Sequence, residues 1–407
     1  MARILILSQA FYPDSTAVSQ VLADLAEDLY RKGHDVEVLS SRRAYENPGV
    51  SYPPLESYRG VTIRRFRQAG FSKKNPIGRA ANFASFNAAV LPWLLLLRKG
   101  RYDAMIGTTS PPLLSYVGLM AARFKRIPFC FYAMDLQPEL AIVSGYLRRD
   151  NLSTRLFMKM SDYAYRKSNL VVTLDRFMAT HIVRRGAQPN KIKIIPIWPV
   201  MSEVYNGSRQ ANPFRREMGF GDKIVIMYSG NMAVVHPLDT LLEAAVALRN
   251  DERFLYVFIG GGVRKKDVEA FKMEHRLANI VLLPLQPREV AHISLGSADL
   301  QAVIHGNACT GYTHPSKVYG AMFIGKPVLY IGPEPSHISD ILEQCHGNIA
   351  VKHGASQELA EKLKIFASSG EKEWKRVGER NKEYVHQQFS RSFLVGRLTK
   401  EIESIIP

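Results

Sequence analysis

The 407-residue sequence predicts an α/β protein of two domains, each built on a doubly wound parallel sheet. The chain is longer than one hydrophobic core usually serves. Residues 3–8 form an apolar strand, residues 18–31 have helical spacing that stops at Gly33, and residues 35–39 form a second strand. This βαβ opening indicates a parallel sheet. A second series of strands and helices begins at residues 224–228, which predicts the second sheet.

The remaining strands continue the same alternation with helices. They are predicted at residues 103–107, 128–132, 170–174, 192–196, 254–259, 280–283 and 300–304. Residues 201–213 are polar and irregular, so they are predicted to link the domains. The domains are then residues 1–200 and 214–385. A final helix covers residues 386–407, and packing back on the N-terminal domain is one option for it.

Composition favours a folded protein, because hydrophobic residues make up 46% of the chain and charged residues 22%. The 3 cysteines are scattered without metal-ligand spacing, which fits a reducing compartment. The apolar run at residues 4–7 is too short for a signal peptide, and Pro92 interrupts the longest apolar stretch, at 88–97. We therefore expect a cytoplasmic protein. The net charge of +17 predicts an anionic partner.

Residues 61–102 contain no acidic residue, and basic side chains there alternate with aromatic and leucine-rich stretches. This combination is typical of an element that lies on an anionic membrane surface. The residues predicted to contact the membrane or acceptor are Arg64, Arg65, Arg67, Lys73, Lys74 and Trp93. The alternative is a solvated basic face beside an ordinary core helix. A nucleic-acid partner is not expected, because the chain has no recognised DNA- or RNA-binding module.

Two carboxylates follow the strand predicted at 128–132. Asp135 and Glu139 lie just past its carboxyl end, where ligands of parallel sheets bind. Both are well placed for polar contacts with a ligand, and Asp135 is predicted to be functional. The alternative for Asp135 is a helix cap, and an acid in a first helical turn, such as Glu139, also suits the helix dipole.

A phosphate site is predicted where a helix opens with Pro315, Ser316 and Lys317 and stops at Gly325. Its free backbone N–H groups, hydroxyl and cation suit a phosphate group. An ordinary joint between a helix and a strand is the alternative.

A second glycine-rich turn follows the strand at 254–259. Gly260, Gly261 and Gly262 allow a ligand to approach the backbone, and Arg264 and Lys265 beside them suit phosphate. The alternative is a simple turn before a solvated helix start.

An ordered series of short motifs resembles the family 4 retaining glycosyltransferases of the GT-B fold over nearly the whole chain. The motifs lie at residues 11–13, 229–231, 238–244, 258–262, 283–284, 297–299, 315–317 and 325–328. Residues 109–113 and 135–139 are similar to the branch that builds bacterial capsule, colanic-acid-like and O-antigen polysaccharides. The resemblance implies two Rossmann-like domains that face each other across a cleft.

It also implies a UDP- or GDP-linked sugar donor bound by the C-terminal domain, with no metal or other cofactor. The acceptor would be a polyprenyl-diphosphate-linked saccharide bound by the N-terminal domain. Asp135 and Glu139 are the predicted catalytic residues. The predicted donor-binding residues are Thr16, Gly230, Asn231, His236, Gly260, Gly261, Gly262, Arg264, Lys265, Leu283, Pro284, His314, Ser316, Lys317 and Val318. Because that acceptor is carried by a lipid, the protein is expected to associate peripherally with the inner face of the cell membrane.

The chain departs from the family pattern at several positions. Tyr312 and Gly320 stand where the family usually has two glutamates, and Asn231 and His236 replace the usual Arg and Lys. Two other functions therefore stay open: a nucleotide-sugar epimerase of the GT-B fold, and a non-catalytic nucleotide-sugar-binding membrane scaffold.

Overall fold

The computed structural model describes residues 1–14, 16–45, 47, 49–71, 76–201 and 203–407. Lys73 and Lys74 of the predicted membrane set lie outside these residues. The chain forms two compact units. Unit 1 comprises Met1–Ile197, Gly311–His314 and Arg391–Pro407, and unit 2 comprises Trp198–Thr310 and Pro315–Ser390.

Unit 1 is built on a sheet whose strand order is β3-β4-β2-β1-β5-β6-β7-β8. Its strands are β1 (Arg3–Leu7), β2 (Asp35–Ser41), β3 (Leu55–Tyr58), β4 (Val61–Phe66), β5 (Ala104–Thr108), β6 (Phe129–Ala133), β7 (Leu170–Thr173) and β8 (Ile192–Ile194). Among the strands that the described residues form, only β3 runs antiparallel to its neighbour, and it covers one sheet edge. Strands β1, β5, β6 and β7 are almost wholly buried, as expected for parallel strands with helices on both faces.

The helices of unit 1 come mainly from the crossovers between these strands. They are α1 (Ala17–Arg31), α2 (Pro76–Leu96), α3 (Leu114–Lys125), α4 (Glu139–Val143), α5 (Leu152–Lys167) and α6 (Arg176–Arg184), with a short 3-10 helix at Pro189–Lys191. The Thr16 hydroxyl caps α1 by accepting from the Ser19 N–H at 3.2 Å. The Asp175 carboxylate caps α6.

Unit 2 has a parallel sheet of order β11-β10-β9-β12-β13-β14. Its strands are β9 (Ile224–Ser229), β10 (Phe254–Ile259), β11 (Ile280–Leu283), β12 (Leu300–Ile304), β13 (Val328–Ile331) and β14 (Ile349–Val351). Alternate residues of β9 enter different cores. Ile224, Ile226 and Tyr228 pack on one face, while Val225 and Met227 pack on the other.

Helices cover both faces of the second sheet. They are α7 (Pro213–Glu217), α8 (Asp239–Ala247), α9 (Lys265–Glu274), α10 (Ala291–Gly296), α11 (Lys317–Phe323), α12 (His337–Glu343) and α13 (Ser356–Gln388), with 3-10 helices at Arg288–Val290 and Asn307–Cys309. Gly370, with φ of 79°, kinks α13. Among the described residues, no helix has the length and apolarity needed to cross a bilayer.

The last helix, α14 (Arg391–Glu403), belongs to unit 1 and packs on α1. Thr399 Oγ1 donates to Asp28 at 2.7 Å, and Arg391 pairs with Asp24 at 2.7 Å. The chain thus returns to its first unit after completing the second.

Both strand orders reverse next to the first strand of the unit. The reversal lies between β1 and β5 in unit 1, and between β9 and β12 in unit 2. Such doubly wound sheets bind ligands at the carboxyl ends of the strands that flank the reversal. The predicted fold class, an α/β protein with two doubly wound parallel sheets, is confirmed.

Candidate functional site

The carboxyl ends of β9 and β10 bring two glycine turns together in unit 2. Gly230 and Gly260 have φ of 123° and 130°, which side chains rarely tolerate. The Gly230 N–H donates to the Ile259 carbonyl at 2.8 Å, and the Gly260 N–H donates to the Leu283 carbonyl at 3.0 Å. A Cβ on Gly260 would lie 2.3 Å from the Gly230 carbonyl oxygen. Glycine is therefore required at position 260, and Leu283 is joined to the site through this contact.

Lys317 begins α11 and reaches the same place. Its Nζ donates to the Tyr228 hydroxyl at 2.8 Å and lies 4.6 Å from the centre of that ring. The Tyr228 hydroxyl in turn donates to the Asn231 carbonyl at 2.8 Å. A Cβ on Gly230 would lie 2.7 Å from Lys317 Cε. Burial lowers the pKa of Lys317 to about 7.

His236 lies near this ammonium group as a neutral imidazole. Its Nδ1 is 2.8 Å from the Ile304 carbonyl, which can only accept, so Nδ1 carries the hydrogen. Burial, followed by the charges of Lys317 and His305, holds the pKa of His236 well below its usual value. Nε2 then carries a lone pair and no hydrogen, so it can only accept a hydrogen bond. It can donate to a phosphate, as predicted, only after it has taken up a proton.

The turn after β10 places the other predicted cations differently. Arg264 is held by Asp239 at 2.9 Å and by Asp267 at 3.1 Å. Lys265, at the start of α9, is half-buried. Arg264 would have to leave its carboxylates to meet a phosphate, so Lys265 is the more available second cation.

The other predicted donor residues of unit 2 lie around the same strand ends. Gly262 has φ of 126°, and the Met232 N–H donates to the Gly261 carbonyl at 2.7 Å. Pro284 is exposed after β11. Ser316 immediately precedes α11, whose second residue, Val318, is buried.

In unit 1, Asp135 follows β6. Its backbone N–H donates to Thr109 Oγ1 at 3.3 Å, and the Leu136 N–H donates to the Tyr312 carbonyl at 2.8 Å. Burial raises the pKa of Asp135 to about 6, and a hydrogen bond with the Thr313 side chain opposes this shift. Residues 312 and 313, although late in the chain, thus shape the surroundings of Asp135.

Glu139 has a different environment, although it lies only four residues further on. It is buried, forms an ion pair with Arg185, and lies 2.9 Å from His181 Nε2. Burial lowers the pKa of His181, so the neutral ring donates to Glu139 through Nε2. The carboxylate is therefore committed to α6 and to the residue that follows this helix.

His314 also lies in unit 1. Its Nδ1 is 2.8 Å from Asp175 Oδ2, while Asp175 Oδ1 accepts from two N–H groups at the start of α6, each at 2.9 Å. The ring of Tyr312 meets His181 edge-on, with centroids 4.9 Å apart. The short segment Gly311–His314 is thus fixed to α6 and to the loop after β6.

The predicted membrane residues are largely occupied by contacts inside unit 1. Arg64 Nε donates to Glu37 at 2.7 Å, and its guanidinium lies 5.6 Å from the Trp93 ring centroid. Arg65 is buried and pairs with Glu56. The prediction for Arg65 is therefore corrected, because a buried cation cannot meet a membrane. Arg67 is exposed.

Several residues that shape these sites were not predicted from the sequence. Tyr228 has the pattern of a core strand residue, and Thr109, Asp175 and Thr313 have the pattern of loop or cap residues. The only sequence signal was their position at strand ends or beside the helix start at 315–317.

Comparison with known proteins identifies a family domain within the chain. Residues 16–198 match the model of the glycosyl transferase 4-like domain. The predicted resemblance is confirmed for this domain, and the match supports a glycosyltransferase.

Two curated relatives match most of the length of the chain. The probable glycosyltransferase WbjE of Pseudomonas aeruginosa is 22% identical over 344 residues, which are 84% of this chain and 84% of the relative. The putative colanic acid biosynthesis glycosyl transferase WcaI of Escherichia coli strain K12 is 22% identical over 340 residues, 79% of this chain and 81% of the relative.

Solved structures share the fold of the chain. Anabaena Alr3699/HepE in complex with UDP and glucose superimposes with a TM-score of 0.74 at 16% identity, covering 99% of this chain and 100% of that one. WaaG, a glycosyltransferase involved in lipopolysaccharide biosynthesis, gives 0.71 at 15% identity, covering 98% and 99%. The fold is GT-B.

Proposed function

We propose that this glycosyltransferase moves a sugar from a UDP- or GDP-linked donor to a saccharide on a polyprenyl-diphosphate carrier. The transfer would retain the anomeric configuration and use no metal, within the synthesis of a bacterial cell-surface polysaccharide. One observation carries the proposal: Lys317 lies against Tyr228 beside the Gly230 and Gly260 turns at the strand reversal of unit 2. The names of WbjE and WcaI support the polysaccharide assignment.

The Lys317 site suits the diphosphate of a nucleotide donor. Its ammonium group is poorly solvated, and in the described part of the chain it meets a phenol rather than a carboxylate. A diphosphate would supply the missing negative charge, and the glycine turns let it approach the backbone. HepE has been solved with UDP and with UDP-glucose, which supports a donor of this class. Ser316, Lys317 and Lys265 are the residues proposed to hold the phosphates.

Donor affinity should depend on pH through Lys317. Its pKa is about 7 in the free protein, and a bound diphosphate would raise it, so binding takes up a proton above neutrality. The affinity for UDP or GDP should be highest below pH 7 and fall by up to about tenfold per pH unit above it. Isothermal titration calorimetry between roughly pH 6 and pH 9 measures how the affinity for the nucleotide changes with pH.

Lys317→Met is the matched control, since it keeps the length of the side chain and removes the titrating group. It should bind weakly, with no slope above neutrality. The same slope in both proteins would contradict the assignment of Lys317 to the phosphates.

Asp135 is proposed to orient or deprotonate the acceptor hydroxyl, helped by the leaving phosphate on the same face of the sugar. With its pKa raised to about 6 by burial, it is ionised at neutral pH yet more basic than an ordinary aspartate. The leaving diphosphate would be stabilised by Lys317 and by backbone N–H groups, so the proposed reaction needs no metal.

We expect Asp135→Asn to reduce turnover by about 100- to 10,000-fold, because the amide cannot accept the acceptor proton. Donor affinity should stay unchanged, because the residues proposed to hold the phosphates are Ser316, Lys317 and Lys265. Asp35→Asn, an exposed carboxylate of the same unit, is the control and should keep full activity. Wild-type turnover in Asp135→Asn would remove Asp135 from the mechanism.

The lipid-linked acceptor places the proposed reaction at the inner face of the cell membrane. Support comes from the net charge of +17 and from the absence of acidic residues between positions 61 and 102. An enzyme that meets a polyprenyl-linked substrate needs a way to reach the bilayer surface.

A further inference from the structure

Helix α2 exposes an uninterrupted apolar stripe. Its outward residues follow one another at intervals of three or four positions, and none of them is polar. They are Ile77, Ala80, Ala84, Ala88, Leu91 and Leu95, with Pro92 and Leu96 beside them. Ile77 is 77% exposed and Leu96 83%. At 1.5 Å per residue the stripe runs for about 27 Å.

The opposite side of α2 is the one that unit 1 buries. Phe86, Val90 and Leu94 are fully buried. The polar Asn82 also lies on this buried side and Asn87 lies on a flank, and both donate to backbone carbonyls. A helix that is apolar on both faces is expected to be covered on both sides. Within unit 1, α2 is covered on only one.

Neighbouring helices extend this surface. Helix α3 packs against both α2 and α5. Met120 and Phe124 are exposed on α3, and Leu152 and Leu156 on α5. The two helices that neighbour α2 in this packing thus expose apolar side chains as well.

Cations outnumber acids on and beside these three helices, where the exposed Asp150, just before α5, is paired with Arg148. The exposed basic residues on or beside these three helices include Arg98, Lys99, Arg123, Arg126, Arg155 and Lys159. The sequences of the three helices contain one acidic residue, Asp162, and it is half-buried and paired with Arg185. The face is thus apolar and cationic together.

We propose that the outward face of α2, α3 and α5 docks on the surface of a bilayer that contains anionic lipids. Helix α2 would lie in the plane of the interface, with Ile77, Leu91 and Leu95 among the acyl chains and the neighbouring cations at the headgroups. Aliphatic side chains fit acyl chains, and the positive charge complements anionic headgroups. This inference deepens the membrane association within the proposed function, and it replaces the surface predicted around Arg64, Arg65 and Trp93.

Vesicle flotation tests the proposal with purified full-length protein. The probes are vesicles of phosphatidylcholine alone and of phosphatidylcholine mixed equally with phosphatidylglycerol. Wild-type protein should float with the mixed vesicles. Leu91→Ser/Leu95→Ser should lower the affinity at least about tenfold, because both side chains lose their burial in the acyl region. Arg123→Glu/Arg126→Glu should lower it by more than about fivefold per residue, and only on the anionic vesicles.

Matched controls come from exposed residues of the same types in unit 2. Met273→Ser/Ile365→Ser and Arg249→Glu/Lys372→Glu should bind like wild type. Thermal unfolding of each variant verifies that it is folded. Equal flotation of Leu91→Ser/Leu95→Ser and wild type would overturn the proposal. A second result would also overturn it: wild type sediments as a dimer, the variant sediments as a monomer, and the two bind vesicles equally. The stripe would then join two copies of the chain.

The outcome is separable from that of the proposed transfer. Binding of UDP and GDP, measured without vesicles, should be equal in wild type and in Leu91→Ser/Leu95→Ser. If neither nucleotide binds to either protein, the donor proposal fails while the flotation result stands. If both proteins bind a nucleotide and wild type does not float with the vesicles, only the proposed docking face fails.

Discussion

Lys317→Ala should abolish transfer, with a loss of at least about 100-fold in kcat/KM, because one preorganised charge on a developing phosphate is worth this much in other enzymes. Lys317 is the residue at which the start of α11, the Tyr228 hydroxyl and the glycine turns of β9 and β10 converge. Removing the ammonium group leaves a diphosphate without its nearest cation. The measurement is steady-state transfer from UDP- and GDP-sugars to a short-chain polyprenyl-diphosphate saccharide.

The control is Lys372→Ala, an exposed lysine on α13, which should keep wild-type rates. Full activity of Lys317→Ala would show that the phosphates lie elsewhere. Two further results would change the function itself. Conversion of a nucleotide-sugar without acceptor would favour the epimerase. Tight binding without turnover under any acceptor would favour a non-catalytic protein in which Tyr312 and Gly320 have replaced catalytic glutamates.

The parallel sheets could be predicted because their strands are short apolar runs bounded by polar turns. Strands β3 and β4 were missed, and the reason is physical. In β4 every second residue is buried, but Arg65 occupies one of those positions in place of a hydrophobic residue. Its charge is offset by Glu56, a residue of the adjacent strand β3. Local sequence gives no sign of that partner, so the stretch was interpreted as part of a basic element on a membrane surface.

The Lys317 site could be predicted from the sequence better than the surroundings of Asp135 and Glu139, because the latter depend on residues far away in the chain. Gly230, Gly260 and Lys317 follow strand ends or open a helix, so chain order alone places them at one sheet edge. The environment of Asp135 depends instead on Thr313, which is far away in sequence and belongs to unit 1 through the segment Gly311–His314. Likewise, the sequence predicted Glu139 as a second catalytic acid but could not predict that Arg185 and His181 pair with it. Spacing of carboxylates reveals candidates, whereas their ionic partners come from the folded chain.

Asp299→Ala should lower the free energy of unfolding by about 3–5 kcal/mol, because it leaves the buried Arg215 and the largely buried Arg209 without their shared carboxylate. Asp299 accepts from Arg209 Nε at 2.6 Å, from Arg215 Nη1 at 3.2 Å and from the Val225 N–H at 2.8 Å. Burial already lowers the pKa of Arg215, which shows how little solvent reaches this group. The network fastens the starts of β9 and β12.

Thermal unfolding measures the effect, and unit 2 should melt about 6–20 °C lower in Asp299→Ala. Asp222→Ala is the matched control. Its side chain is 95% exposed and lies 3.9 Å from Arg209, so its loss should change stability by less than about 0.5 kcal/mol. Equal melting of the two variants would mean that the buried arginines find other partners. Because Asp299 precedes β12 while Lys317 and the glycine turns lie at the opposite strand ends, folded Asp299→Ala should still bind donor normally. Stability and donor binding in unit 2 therefore depend on different ends of the same sheet.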